Sequence, residues 1–152
     1  MAGNRVTGEA LVTHEELPVI SLVTKTPIVF KKDATVAEAI RKMAEENIGS
    51  VVIVDDEMKP IGIFTERDLL LKVCAKGLDP EKVKLEEVMT PHPMTIKESE
   101  SAKKALEIMI HFGFRHLPVV DSEGRLVGII SIKDVSRPFA GDVDIEELHA
   151  AG

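Results

Sequence analysis

"GIFTERD" (Gly62–Asp68) and "GIISIKD" (Gly128–Asp134) are one phrase written twice, 66 residues apart. In each, a glycine leads two apolar residues and a hydroxyl residue, and an aspartate follows the hydroxyl three places on. Carrying the same offset outward without gaps finds Thr24/Thr90, Pro27/Pro93, Lys31/Lys97, Ala39/Ala105, Met43/Met109, Val54/Val120, Asp55/Asp121 and Glu57/Glu123. With Gly62/Gly128, Ile63/Ile129 and Asp68/Asp134 these make 11 identities in the 46 pairs from 24/90 to 69/135. Unrelated segments of ordinary composition would share about three. The chain is therefore two copies of one unit.

Each unit reads as strand, helix, strand, strand, helix, an α/β (α+β) arrangement. "PIVF" (Pro27–Phe30) and "PMTI" (Pro93–Ile96) are short extended stretches. Val36, Ala39, Ile40 and Met43 then fall on one face of a helix, as do Ala102, Ala105, Leu106 and Met109. Thr35 with Glu38 has the spacing of a capping box. "SVVIVD" and "PIGIF", like "LPVVD" and "RLVGII", are β-branched runs around a turn, which predicts paired strands. A helix follows from near Thr65 to near Gly77, and a shorter one from near Ser131. Strands apolar at successive positions want cover on both faces, so two units related by a pseudo-two-fold axis are expected to stack. The expected divisions are an extension over 1–17, units over 18–76 and 88–137, a polar connector over 77–87 and an acidic tail over 138–152.

Composition excludes several classes of function. The chain has 152 residues, of which 44% are hydrophobic and 30% charged, and no run approaches a membrane span. A signal peptide pattern is missing from the first residues, and Cys74 is the single cysteine, which together suggest a cytoplasmic address. The net charge of −7 and the few aromatics argue against nucleic acid as a partner. His111 and His116 are five apart with a glycine between them, which is not a metal-ligand spacing. Met43, Met109, Phe112 and Phe114 read as core filler and Cys74 as a buried thiol. No activated nucleophile or acid–base pair is visible, so an enzyme is not expected.

The repeated hydroxyl–x–x–aspartate has two compatible readings. Thr65 with Asp68 and Ser131 with Asp134 can simply cap helices, satisfying free amides at the positive helix end. A strand delivering a helix start is also a ready anion site, and an aspartate there can accept hydrogen bonds from the vicinal hydroxyls of a ribose. The basic residue before each aspartate, Arg67 or Lys133, favours the second reading.

These residues carry a family resemblance. "TKTPIVF" with "TPHPMTI", the alanine- and methionine-bearing helices, "SVVIVDDEMKPIGIFTERDLL" and "FRHLPVVDSEGRLVGIISIKDV" resemble two tandem cystathionine β-synthase (CBS) domains, a Bateman module, over roughly residues 18–137. The resemblance implies a regulatory cleft between the units that binds AMP, ADP, ATP or S-adenosylmethionine. The family's ribose-binding acid matches Asp68 and Asp134, and its hydroxyl position matches Thr65 and Ser131. Its adenine-facing stretch matches Ile28 and Val29 in one unit and Met94 and Thr95 in the other. Its phosphate-facing positions match Arg67, Lys133, Arg115 and His116, and Pro118 in the same stretch is counted with the site. The resemblance further implies a homodimer of two pairs forming a flat disc, and a regulated partner the sequence does not name.

The copies are unequal, because Gly49 and Ser50 stand where the second unit has Arg115 and His116. Either two sites of unequal affinity or one working site beside a vestigial one is expected, with the Asp134 site dominant. The competing expectation is a dimeric interaction scaffold that needs no ligand.

Overall fold

The computed structural model describes residues 16–23 and 26–136. Most of the N-terminal extension and the whole acidic tail lie outside them.

Both units are built on the expected order. In the first, β1 (Val29–Phe30), α1 (Val36–Glu46), β2 (Ser50–Val54) and β3 (Pro60–Thr65) lead into α2 (Glu66–Asp68), which runs on as a π-helical turn over Leu69–Cys74. A short helix α3 (Leu85–Val88) and strand β4 (Thr90–Pro91) then lead to the second unit. That unit comprises β5 (Ile96–Lys97), α4 (Ala102–Phe112), β6 (His116–Val120), β7 (Leu126–Ser131) and α5 (Ile132–Ser136). β1 runs parallel to β2, and β2 antiparallel to β3, with β4 on the far edge; β5, β6 and β7 repeat the first three.

The repeat holds at the level of single hydrogen bonds. Val52 pairs with Ile63 and Pro118 with Ile129, and each hairpin carries a bulge at its Ile53/Val54 or Val119/Val120 step. Asp55 Oδ1 accepts from the backbone N–H of Glu57 and Lys59, both at 2.9 Å, and Asp121 Oδ1 accepts from those of Glu123 and Arg125 at the same distance. This side-chain closure of the turn is why both copies keep an aspartate there. Thr35 and Glu38 form the expected capping box on α1. On α4 Ser101 caps alone, since Lys104 has no carboxylate to return the bond.

Two side-chain expectations are corrected. Cys74 is exposed, because the π turn sends Val73 inward and leaves Cys74 outside. Phe112 and Phe114 are exposed rather than core, and stack on each other with centroids 5.8 Å apart. The α4 stripe that enters the core ends at Met109.

Each core is completed by a strap that leads into the other unit. The polar composition of 77–87 suggests a plain connector, yet Val83 and Leu85 are buried in the first core with Val36, Val51 and Phe64. The 3-10 helix Val19–Leu22, which opens the first unit in sequence, instead buries Val19 in the second core, beside Leu117 and Ile130. The two straps obey the same 66-residue offset. Leu85 N–H donates to Ala34 O at 2.8 Å and Val19 N–H to Glu100 O at 2.8 Å. Val36 N–H donates to Val83 O at 2.9 Å and Ala102 N–H to Leu17 O at 2.8 Å. Isolated bridges join Thr35 to Lys84 and Pro18 to Ser101.

The straps explain the glycine that opens the repeated phrase. A Cβ on Gly62 would collide with the Met89 side chain, and one on Gly128 with that of Val23. Only glycine lets the crossing strap lie against the strand.

Candidate functional site

The helix starts that carry the aspartates follow β3 and β7, strands of the two sheets that meet at the junction of the units. A small apolar cluster joins Val29, Val52 and Val54 of the first unit to Leu126 and Ile129 of the second. Leu126 N–H donates to Met58 O at 2.8 Å across the same junction. The reciprocal bond is missing because its donor would be Pro60, which has no N–H. β3 and β7 then deliver Thr65 and Ser131 opposite Ser50 and His116, at the ends of β2 and β6.

Capping is present at both helix starts. Asp68 N–H donates to Thr65 Oγ1 at 3.1 Å, and Thr65 N–H to Asp68 Oδ2 at 3.0 Å. Asp134 N–H donates to Ser131 Oγ at 3.3 Å, and Ser131 N–H to Asp134 Oδ2 at 2.7 Å. One carboxylate oxygen per aspartate is thus committed to the helix.

The other oxygen separates the copies. Asp68 is only 7% exposed. Its Oδ1 receives Lys72 Nζ at 3.1 Å and the Thr90 hydroxyl at 3.3 Å. Asp134 is half-buried, and among the described residues its Oδ1 has no hydrogen-bond or ion-pair partner. The position matching Lys72 is Pro138, which carries no cation.

Around Asp134 the charges of both units converge on His116. Burial is the largest influence on that imidazole and holds its pKa below the usual value. Glu66 and Asp134 pull it up in opposition, while Arg115 and Lys133 press it further down. Glu66 comes from the first unit. Both it and His116 crowd Gly49, where an added Cβ would lie 3.2 Å from Glu66 Oε1 and 3.7 Å from His116 Cε1. The glycine that replaces Arg115 in the first copy eases the approach of the Glu66 carboxylate, while His116 would make only ordinary contact with a Cβ there.

The remaining expected residues are spread around this centre. Arg67, Arg115 and Lys133 are exposed. Pro118 is buried in β6 opposite Ile129. Ile28 packs against the first core and Val29 on the junction cluster. Thr95 is half-buried just ahead of β5, and Met94 beside it is exposed. Glu66, Lys72 and Thr90 had no place in the sequence reading. The signal for Glu66 was present as a mismatch, since its counterpart in the repeat is Ile132. Among the described residues, no cluster of His, Cys, Asp and Glu is disposed to hold a metal ion, and no helix is long and apolar enough to cross a membrane. The cavity of about 500 Å³ on the outer face of α4, lined by Ile108, Ile110, His111 and Phe112, contains none of the expected site residues.

Comparison with known proteins agrees with this geometry. The CBS domain family matches residues 19–74 and again 85–141. Protein MK0525 of Methanopyrus kandleri is 42% identical over 101 residues, 66% of this chain, which spans about half (52%) of that relative's length. A 17.7 kDa protein of Acidianus ambivalens is 38% identical over 119 residues, covering 78% of this chain and 71% of its own. Among solved structures, the CBS domain pair of protein MJ0100 in complex with 5′-methylthioadenosine and S-adenosyl-L-methionine superposes with a TM-score of 0.75 at 31% identity, covering 84% of this chain and 98% of that one. The CBS domain protein PAE2072 from Pyrobaculum aerophilum, complexed with AMP, also gives 0.75, at 26% identity over 88% of this chain and 99% of that one. With two full matches in series on a duplicated fold, the chain belongs to the CBS domain family as a tandem domain pair.

Proposed function

We propose that this domain pair is a regulatory module that binds an adenosine-containing ligand, AMP, ADP, ATP or S-adenosylmethionine, at the junction of its units. The carrying observation is Asp134, whose Oδ1 is uncommitted among the described residues beside His116. A ribose offers the pair of hydroxyl donors such an oxygen accepts. Arg115, Lys133 and the Ser131 hydroxyl lie around the same helix start and suit a phosphate. The AMP and S-adenosylmethionine complexes of similar pairs support the ligand class. Asp68, already engaged by Lys72 and Thr90, marks the weaker of the two sites.

Occupancy is transmitted by a change in how the units or subunits sit, which requires the ligand to prefer one arrangement. Ile110, Phe112 and Phe114 at the exposed end of α4, with Leu70 and Leu71 on the π turn, support assembly into a homodimer. The role is regulatory rather than enzymatic, with a regulated protein as its target. Isothermal titration of nucleotide-free protein with the four compounds tests the reading. Saturable heat from at least one is expected, and its absence at millimolar ligand leaves the duplicated scaffold as the function.

A further inference from the structure

Resting on that reading of the Asp134 site, we infer that Glu66 sets its ligand specificity by opposing added phosphate charge, so that the site favours adenosine compounds carrying few phosphates over ATP. Glu66 is the first unit's contribution to a site otherwise made by the second. Its backbone N–H is held by Gly49 O at 3.1 Å, which fixes the start of α2 against the junction. Its carboxylate lies at Gly49 beside the His116 ring, and His116 is the strand-end neighbour of Ser131. A ligand whose ribose is held by Asp134 and whose first phosphate meets His116 would carry its further phosphates within the field of Glu66, which already acts on that imidazole.

The charge count around that path is narrow. Arg115 and Lys133 supply cations, while burial holds the His116 pKa below its usual value and so disfavours a third. Glu66 cancels part of what remains, so each further phosphate gains less than the last. The repeat provides an internal contrast, because the corresponding place beside the Asp68 site is taken by Ile132, which carries no charge. Glu66 is exposed, so its effect is that of a screened surface charge and not of a buried one.

The test titrates adenosine, AMP and ATP into nucleotide-free wild-type protein, Glu66→Gln and Glu66→Lys, at low salt without divalent cations, which would neutralise the phosphates. For Glu66→Gln the ratio of ATP affinity to adenosine affinity is expected to rise about fivefold, near the upper end for an exposed charge interaction. Glu66→Lys is expected to raise it further, with AMP between the two ligands. The gain is expected to shrink when salt is raised. Wild-type binding with the same ratio in all three proteins overturns the role of Glu66 and leaves the site intact. Failure of the wild type to bind any of the three compounds overturns the ribose site itself, and this inference with it.

Discussion

Asp68 and Asp134 occupy the same place in two copies of one unit, cap their helices with the same bonds, and differ in what surrounds the second oxygen. Lys72 and Thr90 close around Asp68, while Asp134 faces a junction shared with His116 and Glu66. Duplication thus preserved a capping box and let the free half of each carboxylate take up a different task. One aspartate became mostly structural. The other kept an acceptor to offer.

The comparison is broken most directly by alanine at each aspartate. Asp134→Ala is expected to weaken adenosine binding about ten- to hundredfold, the loss of charge-assisted hydrogen bonds of about 1.5–3 kcal/mol. Asp68→Ala is expected to cost less than about threefold in affinity but about 1–2 kcal/mol in stability, through the lost cap. Titration calorimetry and urea melts together separate these outcomes, and a larger binding loss from Asp68→Ala would reverse the assignment. By contrast, the straps should respond alike. Gly62→Ala and Gly128→Ala are each expected to cost about 1–3 kcal/mol, because the added methyl displaces Met89 or Val23. Sharply unequal losses would mean that one strap matters little.

Smaller effects sharpen the contrast. Lys72→Met removes the cation on Asp68 Oδ1, leaving only the Thr90 hydroxyl there, and is expected to strengthen the weaker site about two- to fivefold, seen as a rise in ligand stoichiometry at fixed concentration. His116 supplies the pH dependence. Because burial lowers its pKa in the folded chain, the unfolded chain binds the proton first as pH falls through about 6.5, so ligand-free stability declines over that range. Phosphate favours the imidazolium, so AMP affinity is expected to move the other way and rise by up to about threefold between pH 7.5 and 6. His116→Gln should flatten both profiles.

Most of the fold was legible because the unit is written twice. Residues that agree across 66 positions, such as Asp55 with Asp121 or Met43 with Met109, proved to hold equivalent turns and core positions. The straps were not legible. Val19 and Leu85, or Val23 and Met89, share only apolar character, and their partners lie in the opposite unit, where no local period points. Cys74 was misplaced because its apolar neighbours suggested a buried helix, whereas the π turn puts Val73 inside and Cys74 outside. At the candidate site Arg67, Arg115 and Lys133 stood out by their charge. Glu66 did not, because its importance depends on Gly49 leaving room for it beside a strand of the other copy.

The exchanged straps also govern how the molecule comes apart. Leu85 anchors one half and Val19 the other, so pulling the halves away from each other strips a buried side chain from both cores at once. A hinge that swings freely is therefore closed to this protein. Any signal passed outward has to travel as a small slide or twist of two interlocked bodies, and heating should dissolve them in a single calorimetric transition.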